Sequence, residues 1–160
     1  MENDLKFSLI KKENLSDAVG LALEIFPYEV SFEGFLPELE YKLSLTPERK
    51  GMQQFFIVSL GDELVGITGY NFHYTKPKST ELWLGYFGVR EKFRGHGLGK
   101  KILHQTLDLA NFFNPNLRVM KLYTSNRPEE KGSHHLYKCL GFRIYAHRNT
   151  KPFHTYYFRL

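Results

Sequence analysis

A single cysteine, a single tryptophan and three methionines stand in this chain of 160 residues, and nowhere do apolar residues run long enough to cross a bilayer. One thiol, Cys139, excludes an internal disulfide, and no zinc-type spacing surrounds it, so a disulfide- or zinc-stapled framework is excluded as well. No stretch approaches the ~18 apolar residues of a membrane span, and the opening MENDLKFSLIKKEN lacks the basic-then-apolar order of a secretory leader. Repeats, low-complexity tracts and shifts of composition are missing too. These absences predict one soluble, cytoplasmic domain over residues 1–160, with its thiol reduced.

What is present is a core. Apolar residues make up 42% of the chain and aromatic ones 16%, enough to fill one compact unit. Lys and Arg outnumber Asp and Glu by 22 to 17, a net charge of +5 that favours an anionic ligand. The basic residues are spread along the chain, densest over Arg90–Lys101 and Arg143–Lys151, and no nucleic-acid motif accompanies them. His134 and His135 are adjacent, so on a helix they diverge by about 100° and do not form the usual i, i+4 metal pair. Neither a metal, a membrane nor a nucleic acid is expected, and Cys139 reads as a small buried hydrophobe.

The hydrophobic period alternates along the chain. LKFSLIK reads as a strand, followed by a helix with Leu15, Val19, Ala22, Leu23 and Phe26 on one face and Asn14 or Ser16 as its cap. SFEGFLPELEYKLSLTPE is helical but broken by Gly34 and Pro37. QQFFIVSL and LVGITGYNFHY form a hairpin about a Gly-Asp turn, and ELWLGYFGV reads as the next strand. A helix follows with Leu98, Ile102, Leu103, Thr106, Leu109, Ala110 and Phe113 along one face, then the strand LRVMKLYT. KGSHHLYKCL is a short helix ended by Gly141, and FRIYAHR pairs with HTYYFRL as a terminal hairpin.

The stretch from Tyr86 to Leu103 reads YFGVREKFRGHGLGKKIL, with glycines at 95, 97 and 99 directly before a helix. A dinucleotide fingerprint needs glycine at its first, third and sixth positions, and counted from Gly95 the sixth is Lys100. A P-loop closing on Gly99 and Lys100 requires glycine where Arg94 stands and Ser or Thr where Lys101 stands. Both fail. What remains is the physics they share: residues without Cβ let backbone N–H groups approach an anion at the positively polarised start of a helix. A tight turn that holds no ligand is the plainer alternative.

RGHGLG fits the Arg/Gln-x-x-Gly-x-Gly/Ala signature of the GNAT superfamily of acyl-CoA-dependent N-acetyltransferases, through Arg94, Gly97 and Gly99. The context resembles that family too: an apolar strand ending in Val89, an aromatic at Phe93, and downstream a Leu-Tyr-x-x-x-Gly-Phe helix end at Leu136, Tyr137, Gly141 and Phe142. The resemblance implies an α/β (α+β) fold with a mixed, mostly antiparallel sheet of about seven strands and about four helices, splayed at its middle. It implies acetyl-CoA as co-substrate, its pyrophosphate held by the loop Arg94, Gly95, His96, Gly97, Leu98, Gly99 and Lys100. The pantetheine arm is then expected along Phe87, Gly88 and Val89, one of whose amides would face the thioester oxygen, with Asn126 as a further contact.

Acetylating an amine poses two proton problems. An ammonium of pKa ~10 must be deprotonated, and the leaving thiolate gains from a proton. The resemblance casts Tyr137 as general acid, although LYKCLGF also makes it a packing residue. Glu81, thirteen positions before Arg94, matches a catalytic carboxylate of the histone-acetylating branch. An exposed strand-start glutamate, His73 as base, or ordered water are the alternatives, and a bulge near Tyr86 to Gly88 would break the parity of the strand beyond Glu81. Phe26, Tyr28, Phe32, Phe35 and Tyr41 either shape an acceptor pocket or belong to the core. The acceptor implied is a small-molecule primary amine. A protein lysine or N-terminus, and a non-catalytic acyl-CoA sensor, are the other readings, and a homodimer is common among similar proteins.

Overall fold

Alternation sets the first strand, β1 (Leu5–Leu9), against the second, β2 (Gln54–Leu60), in antiparallel register from Leu5↔Leu60 to Leu9↔Phe56. The computed structural model describes residues 4–27, 37, 54–72, 79–125, 127–146 and 153–160. Between these strands runs α1 (Leu15–Ile25). Asn14 stands at its N-cap, but its side chain serves the turn before the helix, accepting from the Lys11 N–H at 2.7 Å and donating to the Leu9 carbonyl at 3.0 Å. Apolar residues occupy more than one face of α1, and the sheet selects Ala18, Leu21, Ala22 and Ile25, leaving Leu23 51% exposed instead of inward.

β2 turns through Gly61 at φ 60° into β3 (Glu63–Asn71). A positive φ at the first turn position suits the right-handed twist of a two-residue hairpin. The expected single strand after it is two: β4 (Glu81–Leu84) and β5 (Gly88–Val89). β4 pairs with β3 as Tyr70↔Leu84, and β5 as Ile67↔Gly88, so four steps on one strand match three on the other. One residue is extra, and Tyr86 at φ 50° marks the resulting bulge.

The chain continues through α2 (Leu98–Phe113), β6 (Val119–Ser125), α3 (Lys131–Cys139), β7 (Arg143–Ala146) and β8 (Phe153–Arg159). Sheet order is β1-β2-β3-β4-β6-β8-β7, with β5 on β3, giving eight strands among the described residues because the bulge divides one; β4 and β6 are parallel and the other pairs antiparallel. The mixed, mostly antiparallel α/β fold is the one expected. Three α-helices lie among the described residues; the broken helical segment of 31–48 lies outside them, Pro37 excepted.

α1 covers Phe55, Ile57 and Ile67, while Phe56, Tyr70, Leu82, Leu84, Met120 and Leu122 pack with α2 and α3 on the opposite face. α2 buries Ile102, Leu103, Thr106, Leu107 and Ala110; Phe113, expected inward, is 45% exposed at the last position of the helix. Thr68 donates to the Thr106 hydroxyl at 2.9 Å, and Thr106 donates to the Ile102 carbonyl at 2.7 Å, so the buried hydroxyls satisfy one another between β3 and α2. On α3 the inward positions go to Tyr137 and Leu140, which turns Cys139 out to solvent, contrary to the buried thiol expected. No helix among the described residues is long and apolar enough to cross a membrane.

Candidate active site

β6 pairs with β4 only from Glu81↔Val119 to Trp83↔Lys121, whereas β5 pairs with β3, so the sheet parts between β5 and the end of β6. The gap is a narrow cleft of about 70 Å³ lined by Phe26, Leu84, Tyr86, Phe87, Leu122, Tyr123, Thr124, Glu130 and Tyr137.

Register decides which backbone groups of β5 face that cleft. Arg90 donates its N–H to the Val65 carbonyl at 2.9 Å, which makes Gly88 and Ile67 the next hydrogen-bonded pair and Val89↔Gly66 a non-bonded one. The Gly88 amide is therefore spent on β3, and the amides of Phe87 and Val89 point away from β3. Gly88 answers a different need. A Cβ there would lie 2.3 Å from Ile25 Cγ2, so only glycine lets the end of α1 close over β5.

The glycine loop follows a 3₁₀ turn, Glu91–Phe93. Arg94 closes that turn, its N–H donating to the Glu91 carbonyl at 3.0 Å and its Nε to the Val89 carbonyl at 2.8 Å. Its amide is thus engaged, and Arg94 anchors the loop instead of lending it a donor. Gly95 and Gly97 have φ of 81° and 75° with open space where a Cβ would be, so backbone conformation requires glycine there. Gly99 is a packing glycine, its Cβ position 3.3 Å from Leu136 on α3. Lys101 donates the first helical bond, to Gly97, and the amides of Gly95, His96, Gly97, Leu98, Gly99 and Lys100 have no acceptor among the described residues. His96 and Lys100 are exposed beside them. The arrangement is a cluster of N–H donors at a helix N-terminus, suited to an anion.

Tyr137 is 6% exposed, with its ring 6.1 Å from Phe87, 5.8 Å from Phe142 and 5.9 Å from Tyr156, and it lines the cleft. Packing and access to the cleft are both met. Close to it lies His134, a residue the sequence offered only as a metal ligand. Its Nε2 is 2.8 Å from the Ser125 carbonyl, which only accepts, so Nε2 carries the hydrogen and Nδ1 accepts from the Tyr156 hydroxyl at 2.7 Å. Burial pushes the Tyr156 hydroxyl up from its ordinary pKa, keeping it a neutral donor. No spacing in the sequence links residues 134 and 156; the packing of α3 against β8 does.

Glu81 is not brought to Tyr137. Its carboxylate sits 2.8 Å from Lys121 Nζ, at the other end of β4 from the cleft-lining Leu84, three residues or about 10 Å along the strand. It lines a separate groove of about 440 Å³ with Val119, Lys121, Ile144, Tyr157 and Arg159. The groove and the cleft are joined by a row of side chains: Lys121 Nζ lies 5.5 Å from the Trp83 ring centre, and Trp83 stacks at 4.4 Å on Tyr123. His73, Asn126, Tyr28, Phe32, Phe35 and Tyr41 lie outside the described residues, and no metal-ligating cluster occurs among the described ones.

A family model described as the acetyltransferase (GNAT) family matches residues 19–142, well over half of the chain. Among solved structures, an acetyltransferase from Streptococcus agalactiae has a TM-score of 0.74 at 19% identity, over 98% of each chain. An acetyltransferase from Thermus thermophilus gives 0.73 at 18% identity over the whole of both chains. A Bacillus subtilis acetyltransferase in complex with CoA gives 0.69 at 20% identity, over 98% of this chain and 99% of that one. No curated protein matches the sequence.

Proposed function

The chain belongs to the acetyltransferase (GNAT) family and is an acyltransferase, and from that premise we propose that it moves the acetyl group of acetyl-CoA to the primary amine of a small molecule, by direct attack in a ternary complex. The observation that carries this reading is the parting of β5 from β6 directly before a loop whose six amides, Gly95 through Lys100, lack acceptors among the described residues. Those donors suit a pyrophosphate, and the cleft suits an extended arm. The CoA complex of the Bacillus subtilis relative supports the same ligand here.

Each protein group then has one task. Arg94 holds the loop to Val89 while the loop amides bind the anion. The Phe87 and Val89 amides supply donors where negative charge grows on the thioester oxygen as the amine attacks, and they are fixed before the reaction by the β3 register. As the C–N bond forms and the C–S bond breaks, Tyr137 gives its proton to the departing thiolate. Water takes a proton from the ammonium before its nitrogen attacks, and the proton freed as the amide forms restores the Tyr137 phenol; Glu81, ion-paired to Lys121, lies apart from the cleft along β4. Thiol release measured over a panel of amines and peptides tests the proposal, with Tyr137→Phe as control. If CoA does not raise the melting temperature at 100-fold its Kd, where linkage supplies about 2.7 kcal/mol, the binding site is misassigned.

A further inference from the structure

We propose that the groove bounded by Glu81, Val119, Lys121, Ile144, Tyr157 and Arg159 seats the acceptor, and that it selects amines carrying a carboxylate at the end remote from the reacting nitrogen. This rests on the acetyltransferase reading and names its substrate class.

Three observations support it. Size comes first: about 440 Å³ is within the range of small-ligand sites. Charge comes second. Glu81 and Lys121 are paired at 2.8 Å with side chains only 19% and 14% exposed, so each largely cancels the other. Arg159 has no carboxylate partner among the described residues; its guanidinium lies 5.9 Å from the Tyr157 ring centre. The groove therefore carries one uncompensated positive charge, presented as a planar fork that matches a carboxylate. A polyamine would bring a second ammonium against Arg159 while Glu81, the one carboxylate among the described lining residues, is already bound to Lys121.

Placement comes third. In the sheet Val119 is opposite Arg159 and Lys121 is opposite Tyr157, while Tyr123, two residues further along β6, lines the cleft. From the level of Arg159 to that of Tyr123 is four residues, or about 13 Å of strand. Trp83, stacked on Tyr123 and overlain by Lys121, lies between the two. An acceptor with its amine at the cleft and its carboxylate at Arg159 would run along this row of side chains, its methylenes or ring passing Tyr123, Trp83 and Lys121.

The test uses three acceptors of equal chain length, 6-aminohexanoate, 6-aminohexanamide and 1,6-diaminohexane, with the intact enzyme and acetyl-CoA. The acid should exceed the amide in kcat/KM by about fivefold to tenfold, and the diamine should be poorest. Arg159→Gln should bring the acid-to-amide ratio of kcat/KM down to about one with the KM for acetyl-CoA unchanged, and Arg159→Lys should recover part of the preference. Equal rates for acid and amide, a preferred diamine, a uniform loss across all three in Arg159→Gln, or no turnover of the acid overturns the proposal. Thermal protection by CoA, read on the same samples, separates the two levels: protection with a flat series removes the carboxylate proposal alone, and absence of protection removes the acetyl-CoA reading with it.

Discussion

Replacing His134 by leucine keeps most of the ring volume and removes both of its nitrogens. The Tyr156 side chain is 1% exposed, and His134 Nδ1 at 2.7 Å is its partner among the described residues, so the substitution strands a hydroxyl where no solvent reaches it. Stranding a buried donor costs about 1–3 kcal/mol, and the Ser125 carbonyl loses its donor as well, so destabilisation of about 2–3 kcal/mol is expected. For a chain of this length that is a fall in melting temperature of about 5–10 °C. Adding Tyr156→Phe should recover about 1–2 kcal/mol, because removing both partners of a buried hydrogen bond costs less than removing one. The cycle is read by urea unfolding of the wild type, His134→Leu, Tyr156→Phe and the double variant. Additivity within about 0.5 kcal/mol would refute the pairing. A kinetic readout separates positioning from stability: the Tyr156 ring lies 5.9 Å from that of Tyr137, so His134→Leu should lower kcat at temperatures where it is fully folded, with little change in KM for acetyl-CoA.

Tyr137→Phe should cost about a hundredfold in kcat with a small change in melting temperature, as expected for loss of a general acid whose ring still packs; an unchanged kcat removes the phenol from the chemistry. Gly88→Ala places a Cβ 2.3 Å from Ile25 Cγ2 and should destabilise by about 1–3 kcal/mol, partly recovered by Ile25→Leu, which removes that methyl; calorimetry decides. Gly97→Ala forces an L-residue to φ 75° at a cost of about 1–2 kcal/mol and should raise KM for acetyl-CoA more than it lowers kcat. The Arg90 guanidinium, hydrogen-bonded to Glu24 at 2.8 Å, holds the Glu24 carboxyl below its ordinary value. A lowered folded-state pKa contributes stability that is present above the unfolded value and lost as pH falls through the folded one. Glu24 is half exposed, so the effect is at most about 1 kcal/mol, and Glu24→Gln should remove that part of the acid destabilisation below pH ~4.5.

Legibility followed locality. The Gly-Asp hairpin, the strand-loop-helix run around Gly95–Gly99 and the amphipathic α3 depend on neighbours within a few residues, and each stands where the sequence pattern put it. Helix facing did not follow as closely. Leu23 and Phe113 satisfy the 3.6-residue period as well as Leu21 and Leu107 do, and only the outline of the sheet decides between them. The fate of Cys139 is of the same kind, since Tyr137 and Leu140 claim the inward side of a short helix. Contacts between distant elements were beyond reach altogether: the Glu81–Lys121 pair follows from the parallel register of β4 on β6, and the His134–Tyr156 pair from the packing of α3 on β8.

One extra residue between β4 and β5 accounts for much of the site. Up to Gly85, whose N–H bonds the Gly69 carbonyl at 2.9 Å, residue numbers on the two strands run in one register. Continued without a bulge, that register would give the amides of Phe87 and Val89 to β3 and leave Gly88 facing outward. The insertion reverses the assignment: Gly88 and Arg90 bond β3, and the amides of Phe87 and Val89 are released toward the cleft. Side chains shift by the same step. Gly88 comes to lie under Ile25 and Phe26, where only glycine fits, and Val89 packs with Ile102 beneath the helix that begins at the glycine loop. The same displacement takes β5 away from β6, so the opening proposed for the arm, the donors proposed for the thioester and the anchoring of the glycine loop through the Val89 carbonyl share one cause. Deleting Tyr86 should then remove the kink and keep the ladder: Phe87 falls opposite Thr68 and Gly88 stays opposite Ile67, so the amides of Phe87 and Val89 still face away from β3, and loss of acetyl transfer in a folded deletion variant would come from closure of the opening and not from loss of the donors.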